Sequence, residues 1–515
     1  MKNKYIILGL LILLLIPSVW FLAKSGFVLT DDGNWMIIRF SAFYQALRDG
    51  QFPVRFLSRL NFSYGYPVAN FLYPGFMYIG VPIKLAGFSF EQTIKAIIAA
   101  SFIGGGVFTY FWLKKIFDDI SSFFGAILYT YAPYHLFDAY KRGSVGEVLS
   151  LAVLPFVLWQ IERGSIFWMA IGIAALIISH NTLAILFLGF VIVYVFAKSY
   201  GVKKNKKNIE NYILALVMGL TLSAFFWLPA VFELGYTVFS STKISDYSKY
   251  FADISLIGIP TFIVMVAALI LFVVNKLKPQ KNLLTIAVFL MGILSIYMSS
   301  QFSSFIWAYL PVSFIQFPFR VLSVTIICFA YLSAFALNQT RNIYKIVFGS
   351  ILLVGCLYIS MNTIFYPKLV NNDDSFYSTN EATTTVMDEY MPTWVKVKPT
   401  SHPDDRIFIL KGQGDVQNII NDSNTITFDY LSKSPSVVRI NTIYYPGWKA
   451  YSGNNEKAIF YDNNQGLMDL KLEGGNQKIK LIFGETPIRV LADFVSLITL
   501  LVLIASEIKK FDFNK

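Results

Sequence analysis

Apolar residues run along nearly the whole chain in blocks that approach the roughly 20 residues a helix needs to cross a bilayer, and short polar or basic connectors separate them. The pattern predicts about twelve spans, at 5–23, 94–113, 120–137, 147–161, 165–180, 182–198, 211–230, 254–274, 283–299, 321–338, 346–365 and 488–506. One further apolar block, 71–87, is short and carries Pro74, Pro82, three glycines and Lys84. It reads as a helix lying in, or dipping into, one leaflet. After residue 36 the first long loop places apolar residues at 36, 37, 40, 43 and 47, with Arg39, Gln45 and Arg48 on other faces. That spacing predicts an amphipathic helix resting on the membrane surface.

Between the last two predicted spans the pattern changes. Residues 366–487 are rich in Asn, Asp, Ser and Thr and alternate β-branched and aromatic positions with polar ones at 406–412, 424–431, 436–445, 457–462, 468–474 and 478–484. Gly-Asn-Asn, Asn-Asn-Gln-Gly and Gly-Gly-Asn punctuate these runs as hairpin signals do. An antiparallel β-sandwich is expected. The organisation is a transmembrane domain over 1–365, a β domain over 366–487, and a last span with a tail over 488–515.

Composition agrees with a multi-pass membrane protein. Of 515 residues, 55% are hydrophobic and 14% charged, against about 25% charged in average soluble domains. The net charge of +12 sits in short connectors: Lys2/Lys4, Lys114/Lys115, Arg163, Lys203/Lys204/Lys206/Lys207, Lys276/Lys278/Lys281, Arg341/Lys345 and Lys509/Lys510. That is the positive-inside signature, not a nucleic-acid stripe. It sets both termini in the cytoplasm and turns the long loops outward: 24–93, 138–146, 180–181, 233–253, 300–320 and 366–487. A cleaved signal peptide over 1–24 is the alternative, but no small-residue cleavage site follows the run. Cys328 and Cys356 both fall within spans and offer no disulfide framework.

Ionisable residues then gather at the outward mouth. Asp31 and Asp32 close the first span, where carboxylates mark functional sites by default. The loop YAPYHLFDAYKRGSVGE offers His135, Asp138, Lys141, Arg142 and Glu147. Arg142 is suited to a phosphate, or with Lys141 to lipid headgroups. His180 and Asn181 lie at a tight turn, Glu233 at a helix end, and Arg320 opens a span. Tyr and Phe in SYGYPVANFLYP form either an interface belt or a wall for a sugar. No triad spacing, P-loop or dinucleotide fingerprint occurs, and His135, His180 and His402 lack zinc-ligand spacing. A Mg2+ or Mn2+ ion between Asp31, Asp32 and Glu147 is one option.

The stretches DDGNW, FSAFYQALRDGQFPVRF, YGYPVANFLYP, YAPYHLFDAYKRGSVGEVLSLAVLPFVLW, SHN, WLPAVFE and QFPFR resemble a bacterial family called 6-pyruvoyl-tetrahydropterin synthase-related membrane proteins. An acidic residue after span one, followed by surface helices, is similar to the C-type (GT-C) integral membrane glycosyltransferases. YYPGWKAY at 444–451 resembles the end domain of large bacterial membrane proteins that glycosylate envelope polymers. The resemblance implies a cell-membrane enzyme working on the extracytoplasmic face by inverting hexosyl or pentosyl transfer. Its donor would be a polyprenyl-phosphate sugar and its acceptor an envelope glycan, lipid or protein. It implies a base at Asp31 or Asp32, with Arg142 and Arg320 neutralising the leaving phosphate; Arg39, Glu147, His180, Asn181 and Glu233 are the further candidates for contacting substrate. The pterin label gains nothing from the residues, because the soluble enzyme needs a histidine-clustered zinc. Two other classes stay open: a lipid-linked glycan flippase or transporter, which would place its polar residues near mid-membrane, and a non-catalytic envelope-assembly protein.

Overall fold

The computed structural model describes residues 2–201, 206–242, 246–274, 279–309, 315–365 and 367–513. Lys203, Lys204, Lys276 and Lys278, to which the charge argument appeals, fall outside them. Helix α1 (Lys2–Leu15) precedes a long loop that carries α2 (Gly33–Arg48) and α3 (Gly75–Leu85). Then come α4 (Phe90–Leu113), α5 (Asp119–Thr130) and the short α6 (Pro133–Phe137), which runs into one wide helical turn at Asp138–Arg142. Helices α7 (Val145–Arg163), α8 (Ile166–Ser179) and α9 (Asn181–Gly201) follow. Next are α10 (Lys206–Leu222), α11 (Ala224–Glu233), α12 (Ile254–Ile257), α13 (Ile259–Val274), α14 (Pro279–Ser299) and α15 (Ser304–Tyr309). The bundle closes with α16 (Leu322–Asn338), α17 (Asn342–Phe365), the short α18 (Asp374–Thr379) and, after the strands, α19 (Pro487–Phe513).

Among the described residues seven helices are long and apolar enough to cross a membrane, or nine if each bent pair counts once. The other three expected spans correspond to α1, α5 and α8, of 14, 12 and 14 residues. The bends measure 66° between α10 and α11 and 70° between α12 and α13. Pro260, at the second position of α13, cannot extend a preceding helix. Helix α3 has 11 residues, roughly 16 Å of rise, too short for a hydrocarbon core of about 30 Å. Helix α16 lies at the centre, 89% of its apolar window buried, whereas only 28% of the α19 window is.

Local chemistry sets the helix starts. Ser89 and Gln92 form a reciprocal capping box on α4, at 3.0 and 2.9 Å. Asp118 accepts from Ser121 N at 3.0 Å to start α5. Around that second end lie ion pairs of Lys345 with Asp118 at 2.6 Å and of Lys114 with Asp119. It is the end opposite the one where α7 and α9 begin.

The strands pair antiparallel throughout. A two-residue ribbon joins β1 (Phe27–Val28) to β2 (Leu369–Val370). Beyond it lie β3 (Ile407–Lys411), β4 (Asp415–Asn421), β5 (Thr425–Ser432), β6 (Ser436–Ile443), β7 (Trp448–Ser452), β8 (Asn455–Lys457), β9 (Ile459–Phe460), β10 (Leu467–Leu472) and β11 (Gly475–Phe483). One sheet runs β3-β6-β10-β9, the other β4-β5-β11-β7-β8. Alternate residues face one shared core, including Val438 and Ile440 from one sheet and Phe428 and Leu481 from the other. Strands β4 and β7 lie outside the six runs anticipated from alternation.

The residues just after α17 belong to neither sheet. They clasp the first loop: β2 pairs with β1, Asp374 binds Lys84 Nζ at 2.7 Å and Phe90 N at 2.8 Å, and Tyr377 O accepts from Ser41 Oγ at 2.6 Å. Helix α2 is therefore enclosed on both sides, with Ile37, Phe40 and Phe43 fully buried. This corrects the expectation of a helix resting on the membrane surface. Its second layer is protein, supplied from far along the chain.

Candidate functional site

Two backbone hydrogen bonds fix the acidic pair against the wide turn: Asp31 N to Lys141 O at 2.9 Å and Asp32 N to Arg142 O at 2.8 Å. Gly143 ends that turn with φ +69°, and a Cβ there would collide with Thr30 Oγ1. Glycine is thus required both by conformation and by the close approach of the loop. The adjacent carboxylates then part. Asp31 is exposed and meets Lys141 Nζ at 3.2 Å. Asp32, its side chain 29% exposed, turns inward and places Oδ2 4.0 Å from Arg142 Nη2. Burial raises the Asp32 pKa, while Arg142 and then Arg39 pull it back only in part.

Behind this pair lies a buried hub on Glu147, at the first turn of α7 and fully enclosed. Its Oε1 receives Arg142 Nη1 at 2.5 Å and Arg320 Nε at 2.9 Å. Tyr134 donates to Oε2 at 3.4 Å. Asp138 takes the same Arg142 nitrogen at 2.8 Å, so one face of that guanidinium is saturated while Nη2 points toward Asp32. His180 Nδ1 accepts from Leu183 N at 3.3 Å, which assigns the proton to Nε2, 3.6 Å from Glu147 Oε1. The ring of Tyr73 packs on His180 at 4.5 Å between centroids. Gly146 admits it, since a Cβ there would strike that ring and Ser179 O. Phe317 and Phe319 stack on each other at 5.2 Å and lie 5.6 and 5.2 Å from the Arg142 guanidinium.

The residues anticipated from sequence thus divide. Asp32, Arg142, Glu147, His180 and Arg320 converge. Arg320 is fully committed, however: besides Glu147 it donates to Ile315 O at 2.7 Å and Gln316 Oε1 at 2.9 Å. Asn181 holds the first loop through Phe71 O at 2.9 Å. Arg39, only 3% exposed, gives Nη2 to Thr384 O at 2.5 Å and Nε to Thr384 Oγ1 at 3.2 Å, pinning the clasp over α2, while its charge still reaches Asp32. Glu233 stands in a separate buried network with Arg489 at 2.7 Å, Asn70 at 2.8 Å, Tyr445 at 3.0 Å and Thr486 at 3.1 Å. That network ties α11, the first loop, the sandwich and α19 together and shares no partner with Glu147.

Three further readings change. The aromatic stretch at 63–74 is no open sugar wall: Tyr66 is fully buried with its hydroxyl 3.0 Å from Thr385 Oγ1, and Phe71 stacks on Tyr390 at 5.0 Å. His135 is buried against Phe102 at 4.3 Å. The donor set does not fit a divalent cation between Asp31, Asp32 and Glu147. Asp31 turns to Lys141, Glu147 is filled by cations, and among the described residues no three His, Cys, Asp or Glu side chains converge as ligands. Sequence reasoning gave no role at this site to Tyr134 or the phenylalanine pair, and took Tyr73 only as part of the aromatic stretch at 63–74. The QFPFR segment carries a signal for the pair, because two aromatics flank Pro318 immediately before Arg320.

The model of the 6-pyruvoyl-tetrahydropterin synthase related domain, described as a membrane protein, matches residues 72–365. The chain belongs to this family. The matched stretch covers Arg142, Glu147, His180 and Arg320 but begins after Asp31 and Asp32. An uncharacterized protein of Lactococcus lactis subsp. cremoris is 24% identical over 243 residues, 44% of this chain and 39% of its own length. Among solved structures, the family member is similar to the oligosaccharyltransferase AglB from Archaeoglobus fulgidus in complex with an inhibitory peptide and a dolichol-phosphate. That match has 12% identity, 74% of this chain, 56% of that one and a TM-score of 0.47. ArnT from Cupriavidus metallidurans bound to undecaprenyl phosphate matches at 14% identity, 73% of this chain, 68% of that one and a TM-score of 0.45. The mycobacterial arabinofuranosyltransferase AftD matches at 13%, 70%, 26% and 0.46. The chain therefore spans about two fifths of the curated relative and just over half of AglB.

Proposed function

We propose that this protein is a membrane glycosyltransferase that draws on a polyprenyl-phosphate-linked sugar and passes it to an envelope glycan, lipid or protein. One observation carries the reading: a carboxylate of raised pKa, Asp32, stands 4.0 Å from the outward nitrogen of a buried, pre-paired arginine. That gap is too wide for a hydrogen bond. An acceptor hydroxyl entering it would donate to Asp32, and a leaving phosphate would accept from Arg142. A base whose pKa approaches the working pH deprotonates a hydroxyl more effectively, and a guanidinium held in advance stabilises the departing charge. Glu147 serves by holding both arginines, and His180 and Tyr73 by packing around it.

Charge supports the extracytoplasmic face. Lys114, Lys115, Arg163 and Lys345 lie at the ends of the helices opposite the one that carries Glu147, the distribution expected by the positive-inside rule if the site faces outward. A transporter would place such groups at mid-membrane. Here they crowd one end of the bundle.

The test supplies membranes bearing the protein with a radiolabelled polyprenyl-phosphate sugar and follows label leaving the lipid. Turnover that Asp32→Asn abolishes supports the reading, and undiminished turnover in that variant overturns it. For the face, a cysteine placed at exposed Gly87 is expected to react with an impermeant reagent from outside.

A further inference from the structure

Four aromatic side chains meet where the sandwich faces the loop beyond α11. Trp394 stands at the centre, its ring centroid 5.5 Å from Tyr461, 6.1 Å from Tyr444 and 6.3 Å from Tyr236. Tyr444 and Tyr461 stack on each other at 4.1 Å. None of the four belongs to the Glu147 site. Hydrogen bonds hold the group in place: Thr393 N donates to Tyr236 O at 2.9 Å, Lys396 N and Val397 N to Asn464 O at 2.8 and 2.9 Å, and Trp394 Nε1 to Tyr444 O at 3.1 Å. Gly466, at φ +65°, admits the indole, because a Cβ there would lie 2.8 Å from Trp394 Cδ1.

The cluster is open to solvent. Tyr236 is 38% exposed, and Trp394, Tyr444 and Tyr461 are half-buried. The indole donor is used, but the three tyrosine hydroxyls have no hydrogen-bond partner among the described residues, and those of Tyr444 and Tyr461 reach the surface. Burial raises the Tyr444 pKa and the hydroxyls of Tyr461 and Tyr236 raise it further, so all three share one neighbourhood. Each of these hydroxyls can donate and accept. A sugar matches such a surface, since its ring has an apolar C–H face and a rim of hydroxyls, and rigid Tyr and Trp supply amphipathic contact area at small entropic cost. A quaternary ammonium needs rings set apart as a cage, and the face-to-face stacking of Tyr444 on Tyr461 leaves no slot between them. An interfacial belt also uses Tyr and Trp. Here Asp462 and Asn464, exposed beside Tyr461, add a carboxylate and an amide, which are partners for sugar hydroxyls.

We propose that this cluster is a saccharide-binding site on the sandwich, taking an uncharged glycan segment whose C–H faces lie against Trp394 and Tyr461 and whose hydroxyls meet those of Tyr236, Tyr444 and Tyr461. The site stands independently of glycosyl transfer at Asp32, because its evidence is binding chemistry at other residues.

Hydroxyl-radical footprinting of the full-length protein in phosphatidylcholine nanodiscs tests this, with cellohexaose, maltohexaose and an N-acetylglucosamine hexamer as probes. Mass spectrometry reads oxidation at Trp394, Tyr444 and Tyr461. These rings are expected to be oxidised in the nanodisc alone and protected by one or more of the hexasaccharides. Tyr461→Ala is expected to raise the half-protecting concentration at Trp394 about tenfold or more, the scale of a lost tyrosine anchor. Tyr461→Phe keeps the ring and removes the hydroxyl, and is expected to raise it roughly two- to tenfold, the worth of one hydrogen bond. Rings already shielded by the lipid would belong to a headgroup belt and overturn the proposal. Protection by none of the three sugars, or protection indifferent to both Tyr461 variants, would overturn it as well. Donor turnover measured in the same nanodiscs reports the Asp32 site separately.

Discussion

Asp31 and Asp32 share a peptide bond and serve different surroundings: Asp31 reaches out to Lys141 at 3.2 Å, and Asp32 reaches in toward Arg142 at 4.0 Å. The sequence presents them as equivalent, and only the pairing of their backbone N–H groups with Lys141 and Arg142 carbonyls breaks the tie. The split predicts unequal variants. Asp32→Asn should lower lipid-sugar turnover by about 100-fold or more, the usual scale of a lost general base. Asp31→Asn should change it by less than about fivefold, since an exposed ion pair contributes at most about 1 kcal/mol. Single-turnover assays on matched membrane preparations measure both.

The raised pKa of Asp32 carries a pH signature. A base works only when deprotonated, so the acid limb of kcat/KM should fall above the ordinary carboxyl value of 3.8. For stability the sign is opposite to that of a salt-bridged carboxylate. The folded state binds the proton more tightly than the unfolded one, so this group costs stability as pH rises from 3.8 through its folded pKa. Asp32→Asn should therefore be more stable than the parent at neutral pH, with the difference closing below pH 3.8. A series of detergent-solubilised melts across that range reads this directly, and a variant both inactive and stabilised is the expected combination.

Glu147 should behave in the reverse way. It is the one carboxylate on which both Arg142 and Arg320 converge, and removing one partner of a buried pair costs about 3–5 kcal/mol. Glu147→Ala should destabilise the bundle by at least that much, and more than Arg320→Met, which strands no second cation. Equilibrium unfolding of the two variants in one detergent supplies the comparison.

The Glu233 network makes a separate prediction. Tyr445→Phe deletes one hydrogen bond to a buried carboxylate at 3.0 Å, worth about 1.5–3 kcal/mol for a charged acceptor. The loss should appear as faster proteolysis where the sandwich meets α19, while the Asp32 pH profile stays unchanged.

How much of this was legible beforehand follows residue type. Apolar block length located the bundle, and alternation located six runs of the sandwich, because both signals are local. Strand β4 escaped because Asp415–Asn421 is largely exposed and so has no buried face to alternate. Helix α2 showed its apolar stripe, but nothing local says that Arg39 and Ser41 on the other side meet Thr384 and Tyr377. Arg142, Glu147, His180 and Arg320 could each be picked out as polar residues at helix ends. That Glu147 neutralises both arginines, leaving only one nitrogen of Arg142 turned to Asp32, depends on side-chain directions that spacing does not encode. Glu233 gave the same local signal as Glu147 and belongs to a different network for the same reason.

The ribbon between Phe27–Val28 and Leu369–Val370, with the Arg39–Thr384 bond beside it, also imposes an order in time. These partners lie as much as 345 positions apart. At synthesis rates of roughly 5–20 residues per second, that interval lasts about 17–70 s. Asp32 is among the first polar groups to leave the ribosome, yet the cover over α2 arrives only after α17 has been made. A nascent chain halted before that point would carry α2 without its cover, so the first loop reaches its final packing only once the segment up to Thr384 has been made.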